Sequence, residues 1–403
     1  MSHTSQKNVA TILFLTALLT ACNGGGEDAD KTPAPKPIPP IVEPNDTAKD
    51  QPSDNNGEQN NGAVGVNGKE NDTEAALIAN NVFSLARTSC GLGGLSTDTA
   101  LENIAVQHAN YIKYAFANST PTVFNVHYEN QIEDIADVTS TNNPFFGGLD
   151  FAERLSKANY PNARFGATEN IAQSIYYNSA GKLFSSDVMA RSMAKSLLAA
   201  PYHLRSLMLP SSSVTGTGML TYTPYNKDVA NNQGHILVNH AAGTQATKNK
   251  TVEGVFTYPC EGVTDTVTAL YNETPDPVKH KGRDLQADPI GQPVYINVPS
   301  ARTITISNVK FYDIERNIDV PVELLDYRQD PYKNTVNALP ANEAFILPIT
   351  DNLNSCNGNI INRRSKNCGL RGNSEYRVSF DILVDNTAVE RENFTFKTGA
   401  VNY

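Results

Sequence analysis

Little in these 403 residues is built to cross a bilayer, hold a structural zinc ion or grip nucleic acid. The longest apolar run, residues 9–21, is only about a dozen residues, against roughly 20 for a spanning helix. No Cys-x-x-Cys pair or Cys/His cluster occurs, which excludes a sequence-local structural zinc site. Lysine and arginine total 32 against 42 acidic residues, a formal −10 without any basic stripe, so nucleic acid is not an expected partner. There is no EF-hand-like acidic loop and no internal repeat. Ser185, Ser186 and Ser196 lack the Gly-x-Ser-x-Gly elbow that marks a nucleophile. GLGG at 91–94 lacks the strand and helix that flank a dinucleotide fingerprint. Tryptophan is absent altogether.

What is present begins with an address. Lys7 precedes the run, which ends Leu19-Thr20-Ala21-Cys22 and resembles a bacterial lipobox. The resemblance implies removal of residues 1–21 as a lipoprotein signal peptide and acylation of Cys22, palmitate-type chains included. Several chains give a stable anchor where one would be reversible. Asn23, where aspartate would retain the protein at the inner membrane, implies an outer-membrane or cell-surface destination. Residues 22–72 follow as an acidic tether, because a stretch rich in Gly, Pro, Asn and Asp buries too little apolar surface to offset its ordering entropy. It carries 10 acidic and 4 basic residues, so most of the net charge is tether charge. With Cys22 lipidated, Cys90, Cys260, Cys356 and Cys368 remain, and four cysteines allow three pairings. The short spacing of Cys356 and Cys368 suits a stapled loop, which leaves Cys90 with Cys260.

The folded part reads as α+β in two domains, 73–260 and 261–403. TEAALIANNVFSLA and TALENIAVQHANYIKYAFA carry apolar residues at helical spacing, the second with His108 on the apolar face and Thr99/Glu102 as a capping box. His108 reads as a buried, hydrogen-bonded packing residue. A third helix opens at Asp150 with Glu153 at capping spacing; a fourth runs over 186–200 until Pro201 breaks it, and YHLRSLML suits another turn before Pro210. VTGTGMLTYT, HILVNHA and VEGVFTY read as strands, with Gly216 and Gly218 permitting close packing or a bulge. Beyond 261, GQPVYINVP, RTITISNVKFYD, VPVELLDY, AFILPI, YRVSFDILV and NFTFKTG are short β-branched or aromatic runs that predict an immunoglobulin-like sandwich of roughly 130 residues.

The candidate site is dispersed. His127 in NVHYEN, Glu169 in TENIAQS and His203 in PYHLRS supply two imidazoles and a carboxylate. These are ligand types for a divalent metal, zinc favoured, and equally the parts of an acid/base site. No local spacing shows that they meet. His235, His240 and His280 have no partner legible in the sequence.

The order of these segments, ending in TGTGM, resembles the CAP superfamily of cysteine-rich secretory, antigen 5 and pathogenesis-related proteins. It covers residues 73–245. The resemblance implies an α-β-α sandwich whose central cleft is lined by His127, Glu169 and His203, with metal on His127 and His203 in some members. The chain departs from the family pattern at four places. Thr168 replaces a glycine, Leu197 a tryptophan and Ala200 a second glutamate, and Leu204 separates His203 from Arg205. Glu129 is the candidate for the missing carboxylate. Two functions follow as expectations. One is a membrane-tethered module binding a lipid, envelope or host-derived extracellular ligand. The other is a metal-dependent hydrolase of peptide or envelope substrates, with Glu169 as base. The missing residues favour binding. Glu169 is expected to face the cleft, Asn170 to tie nearby backbone, and Glu169→Gln to leave the fold intact.

Overall fold

The computed structural model describes residues 12–22, 63–64, 71–178, 183–226, 231–247, 252–351, 353 and 367–401. Ile12–Cys22, the apolar run of the expected leader, forms β1 along one edge of the main sheet, and Ala63–Val64 forms β2. The rest of the expected tether, at 23–62 and 65–70, lies outside the described residues, as does Cys356.

Helix α1 (Asp72–Ser89) starts where Asn71 accepts the Glu74 amide, and it buries Ala75, Ala79, Phe83 and Ala86. After β3 (Ser96–Thr97) comes α2 (Thr99–Asn118). Its cap is Asp98, which takes the Ala100 and Leu101 amides, not Thr99 as the capping-box spacing suggested. A carboxylate satisfies those amides and also suits the positive end of the helix dipole. Helix α3 (Phe151–Lys157) opens as expected, with Asp150 accepting the Glu153 amide and Glu153 reaching back to Leu149. Strands β4 (Ala167–Asn178) and β5 (Leu183–Phe184) lead to α4 (Ser186–Leu197). The expected fourth helix ends at Leu197, and Pro201 starts a separate helix, α5 (Pro201–Leu207), at the one position where its missing N–H is harmless. Strands β6 (Val214–Tyr222) and β7 (Asn232–Ala242) complete the first half.

The main sheet runs β1-β4-β7-β6-β3, antiparallel except for β3 beside β6. Strand alternation sends its side chains to two layers. Ile171, Ile175, Ile236 and Val238 pack with Ala105, Ala109 and Ile112 of α2. Ala172, Met219 and Leu237 pack on the opposite side with Phe83 of α1 and Met193 and Leu197 of α4. The two strand glycines act as expected. A β-carbon on Gly216 would overlap the backbone of Leu101 and Glu102, and one on Gly218 would lie 2.8 Å from the Val106 amide. Helix α2 therefore rests directly on β6.

The second half contains β8 (Phe256–Tyr258), β9 (Val294–Asn297), β10 (Ile304–Asp313), β11 (Ile318–Asp319), β12 (Val322–Asp326), β13 (Glu343–Pro348), β14 (Glu375–Val384) and β15 (Ala388–Lys397). They form two four-stranded sheets, β11-β10-β14-β15 and β12-β13-β9-β8, whose apolar residues join one core. Strand β8 pairs with β9, so the second half begins before residue 256 and the expected boundary after 260 falls inside it. The halves are firmly joined. Cys90 is bonded to Cys260, the pairing expected from sequence. Cys368 is itself disulfide-bonded. Arg87 is fully buried and gives its hydrogen bonds to the carbonyls of Gly93, Leu207, Leu209 and Ser212. Burial lowers its guanidinium to about 10.

Helix α5 is the seam between the halves. Tyr202 donates to Asp330 at 2.7 Å, and Arg205 pairs with Glu343 at 2.6 Å. Gln292 reaches the Leu198 carbonyl at the helix entrance. Among the described residues no helix is long and apolar enough to cross a membrane.

Candidate functional site

Glu169 sits near the start of β4 and points to the α2 side, since Ile171 on the same face joins the α2 core. His127 lies on the loop between α2 and α3, where its amide closes a turn on the Asn125 side chain. The two meet, with His127 Nδ1 2.8 Å from Glu169 Oε1. His203 does not join them. Asn170 faces the other side of the sheet, where it takes a hydrogen bond from Ser206 of α5. His203 is on that same helix, so the sheet stands between it and Glu169. Its Nδ1 lies 3.1 Å from Glu273 Oε1, a residue of the second half. Asn170 binds side chains, Ser206 and Asn239, rather than the backbone expected of it.

Two residues that were not anticipated complete the set around Glu169. Arg154 of α3 places Nη2 2.8 Å from both carboxylate oxygens, and His240 of β7 places Nε2 2.8 Å from Oε2. Both were legible in principle. Phe151, Arg154 and Leu155 share one helical face and are all buried, so Arg154 interrupts an apolar stripe. His240 follows Ile236 and Val238 at strand spacing, on the inward face. Their partner is far away in sequence, and nothing local announces it.

A second carboxylate adjoins this set. Glu129 accepts the Gly147 and Gly148 amides, lies 2.7 Å from His108 Nδ1, and is 3.7 Å from Arg154. It is fully buried, lies in a loop and joins the set through Arg154. His108 Nε2 is 2.7 Å from the Val126 carbonyl, which can only accept. That nitrogen therefore carries a proton. Its Nδ1 then either donates to an ionised Glu129 or accepts from a protonated one, so the pair is neutral in sum. Two amide donors on Glu129 favour the ionised form. Arg154 balances Glu169 in the same way, and the cluster carries no net charge.

The titration of the groups agrees with this balance. Burial works to raise Glu169. The guanidinium of Arg154, the neighbouring His108 and the hydrogen bonds from His127 and His240 outweigh it and hold the carboxyl well below its ordinary range. Burial lowers His240, against the pull of Glu169, so it remains a neutral donor through Nε2. All of these residues are closed off from solvent, Arg154 being the most open at 3 %.

A divalent metal does not fit here. Each oxygen of Glu169 already receives two donors. The imidazole nitrogens that face it present protons, whereas a metal needs their lone pairs. His127 and His203, the expected ligand pair, face opposite sides of the sheet. Among the described residues no group of three His, Cys, Asp or Glu side chains is arranged to hold a metal ion.

Fold and site together define a mixed α and β chain with a closed, charge-balanced His/Glu/Arg set between a sheet and its covering helices. No family model matches the chain, and no curated protein matches it.

Proposed function

We propose that this chain is a surface-anchored, non-catalytic binding module: a CAP-like α-β-α domain followed by an immunoglobulin-like sandwich, carried on a tether from lipidated Cys22. The saturation of Glu169 carries this reading. A general base needs a free lone pair aimed at a substrate or water, and every acceptor position here is taken by a protein donor. The metal that the family resemblance brings with it forms no part of the reading.

The ligand is an amphipathic lipid of the envelope. Support comes from the exposed Tyr128, Phe145 and Leu149 on the loop segments that close the site, with Lys157 4.6 Å from the neighbouring Phe146 ring. Apolar surface beside a cation suits an acyl chain with an anionic head. Three measurements test the proposal. Labelling with an alkynyl palmitate analogue should mark the wild-type chain and not Cys22→Ala. A fluorescent long-chain fatty acid should bind wild type and bind Phe145→Ser/Leu149→Ser at least tenfold more weakly. Peptide and peptidoglycan substrates should remain uncleaved with or without added zinc. Cleavage by wild type that vanishes in a Glu169→Gln chain shown by circular dichroism to be folded would establish the hydrolase instead.

A further inference from the structure

We infer that Arg154 is a built-in cation that closes the His/Glu set to metals, and that a neutral residue at this position converts the set into a divalent-metal site. The inference concerns ion selectivity and is independent of which ligand the outer surface binds.

The geometry supports it from three directions. The guanidinium sits at the centre of the acceptors a metal would use: both Glu169 oxygens at 2.8 Å, the His127 carbonyl at 3.2 Å, and Glu129 at 3.7 Å. It is 3 % exposed and enclosed on another side by Phe151 of its own helix. Charge is matched, with Arg154 and His108 against Glu169 and Glu129. Two further positive charges in this closed space would have no counter-ion, and an unpaired buried charge is strongly disfavoured. The proton pattern excludes metal as well. His127 and His240 turn N–H groups toward Glu169, and that orientation is fixed while the carboxylate is held in place by the guanidinium.

Removing the guanidinium changes all three conditions at once. Glu169 is left as an uncompensated negative charge beside an emptied volume, with Glu129 still held by His108 nearby. His127 and His240 are then able to carry their ring proton on the nitrogen turned away from Glu169 and offer the facing lone pair, as zinc requires of neutral imidazole. Two imidazoles and a carboxylate with a second carboxylate nearby make an N/O set suited to zinc.

The test is calorimetric titration of the full chain with zinc, alongside Arg154→Lys, Arg154→Ser, Arg154→Gln and Arg154→Ser/Glu169→Gln. Wild type and Arg154→Lys should show no stoichiometric binding. Arg154→Ser should take up one equivalent at least 100-fold more tightly than wild type and gain thermal stability with zinc. The double variant should lose that gain. Arg154→Gln, which keeps most of the side-chain volume, serves if the serine variant does not fold, and it should bind at least tenfold more tightly than wild type. Stoichiometric zinc binding by wild type that Glu169→Gln abolishes overturns the inference. So does a folded serine or glutamine variant with no gain. Neither result bears on the lipid-binding or turnover measurements, so the two proposals fail separately.

Discussion

Replacing Glu169 with glutamine leaves three donor nitrogens, which make four hydrogen bonds to the carboxylate, facing a group with one acceptor oxygen. The new amide must turn its NH2 toward His127 or toward His240, and Arg154 confronts it from either side. Arg154 also loses its close counter-ion, keeping only Glu129 at 3.7 Å, which already serves His108. Breaking a buried ion pair from one side costs about 3–5 kcal/mol. Domain stabilities are about 5–15 kcal/mol in all, so the loss is a large part of what is available. The sequence alone suggested that this substitution would leave the fold intact, and the structure reverses that expectation. Thermal unfolding followed by circular dichroism at pH 7 should show the midpoint fall by roughly 10 °C, at about 2–4 °C per kcal/mol for a domain of about 150–250 residues. Arg154→Met in the same background should cost less than the sum of the single changes, because it removes the stranded charge. A Glu169→Gln chain within about 1 kcal/mol of wild type would mean that the cluster is not balanced as described.

Two further predictions concern the frame. Gly216→Ala should destabilise by about 1–3 kcal/mol or more by pushing α2 off β6, whereas Gly93→Ala, with open space around its β-carbon, should be neutral in the same melt. Removing the Cys90–Cys260 bond, which closes a separation of 170 residues, should cost about 5 kcal/mol on the chain-entropy account, read as the difference in urea midpoint between wild type and Cys90→Ser/Cys260→Ser.

The parts of this fold that were legible in sequence are those set by local periodicity and by cysteine spacing. The stripes of α1 and α2, the cap at Asp150, the glycines of β6 and the alternating strands of the second half are of this kind. Errors arose where a neighbouring residue competed for the same role, as Asp98 did with Thr99. The site was half legible. His127 and Glu169 do meet, but strand alternation places Asn170 and α5 behind the sheet, and so takes His203 away. The direction in which a helix faces depends on its packing partner, here Asp330, Glu343 and Glu273 of the second half, more than a hundred residues away for the first two. Arg154 and His240 were missed for the same reason, because their identity as site residues exists only once β4 lies beside β7.

The destination of His203 leads to a last prediction, on pH. Helix α5 has no side-chain cap of its own at Ala200, and Glu273 supplies one by accepting the Tyr202 and His203 amides. Burial pushes the Glu273 carboxyl well above its ordinary value, against those hydrogen bonds. A raised acid keeps a proton in the native state that the unfolded chain releases. Its contribution to stability is therefore full below the unfolded value of about 4.3 and is lost as pH rises through the folded value. His235 works from the other side. It is buried against Tyr176, neither ring nitrogen has a hydrogen-bond partner among the described residues, and burial lowers it from 6.5 to about 3. The unfolded chain takes up that proton first, so stability falls as pH drops below 6.5, by about 3 kcal/mol at pH 4.5. Urea midpoints measured from pH 3.5 to 9 should therefore pass through a maximum. His235→Phe should flatten the acid side, and Glu273→Gln the alkaline side, since an amide caps α5 without a charge to desolvate. A Glu273→Gln profile that stays parallel to wild type above pH 6 would mean that the native carboxylate is ionised. The seam at α5 would then be a His203–Glu273 salt bridge in place of a protonated cap.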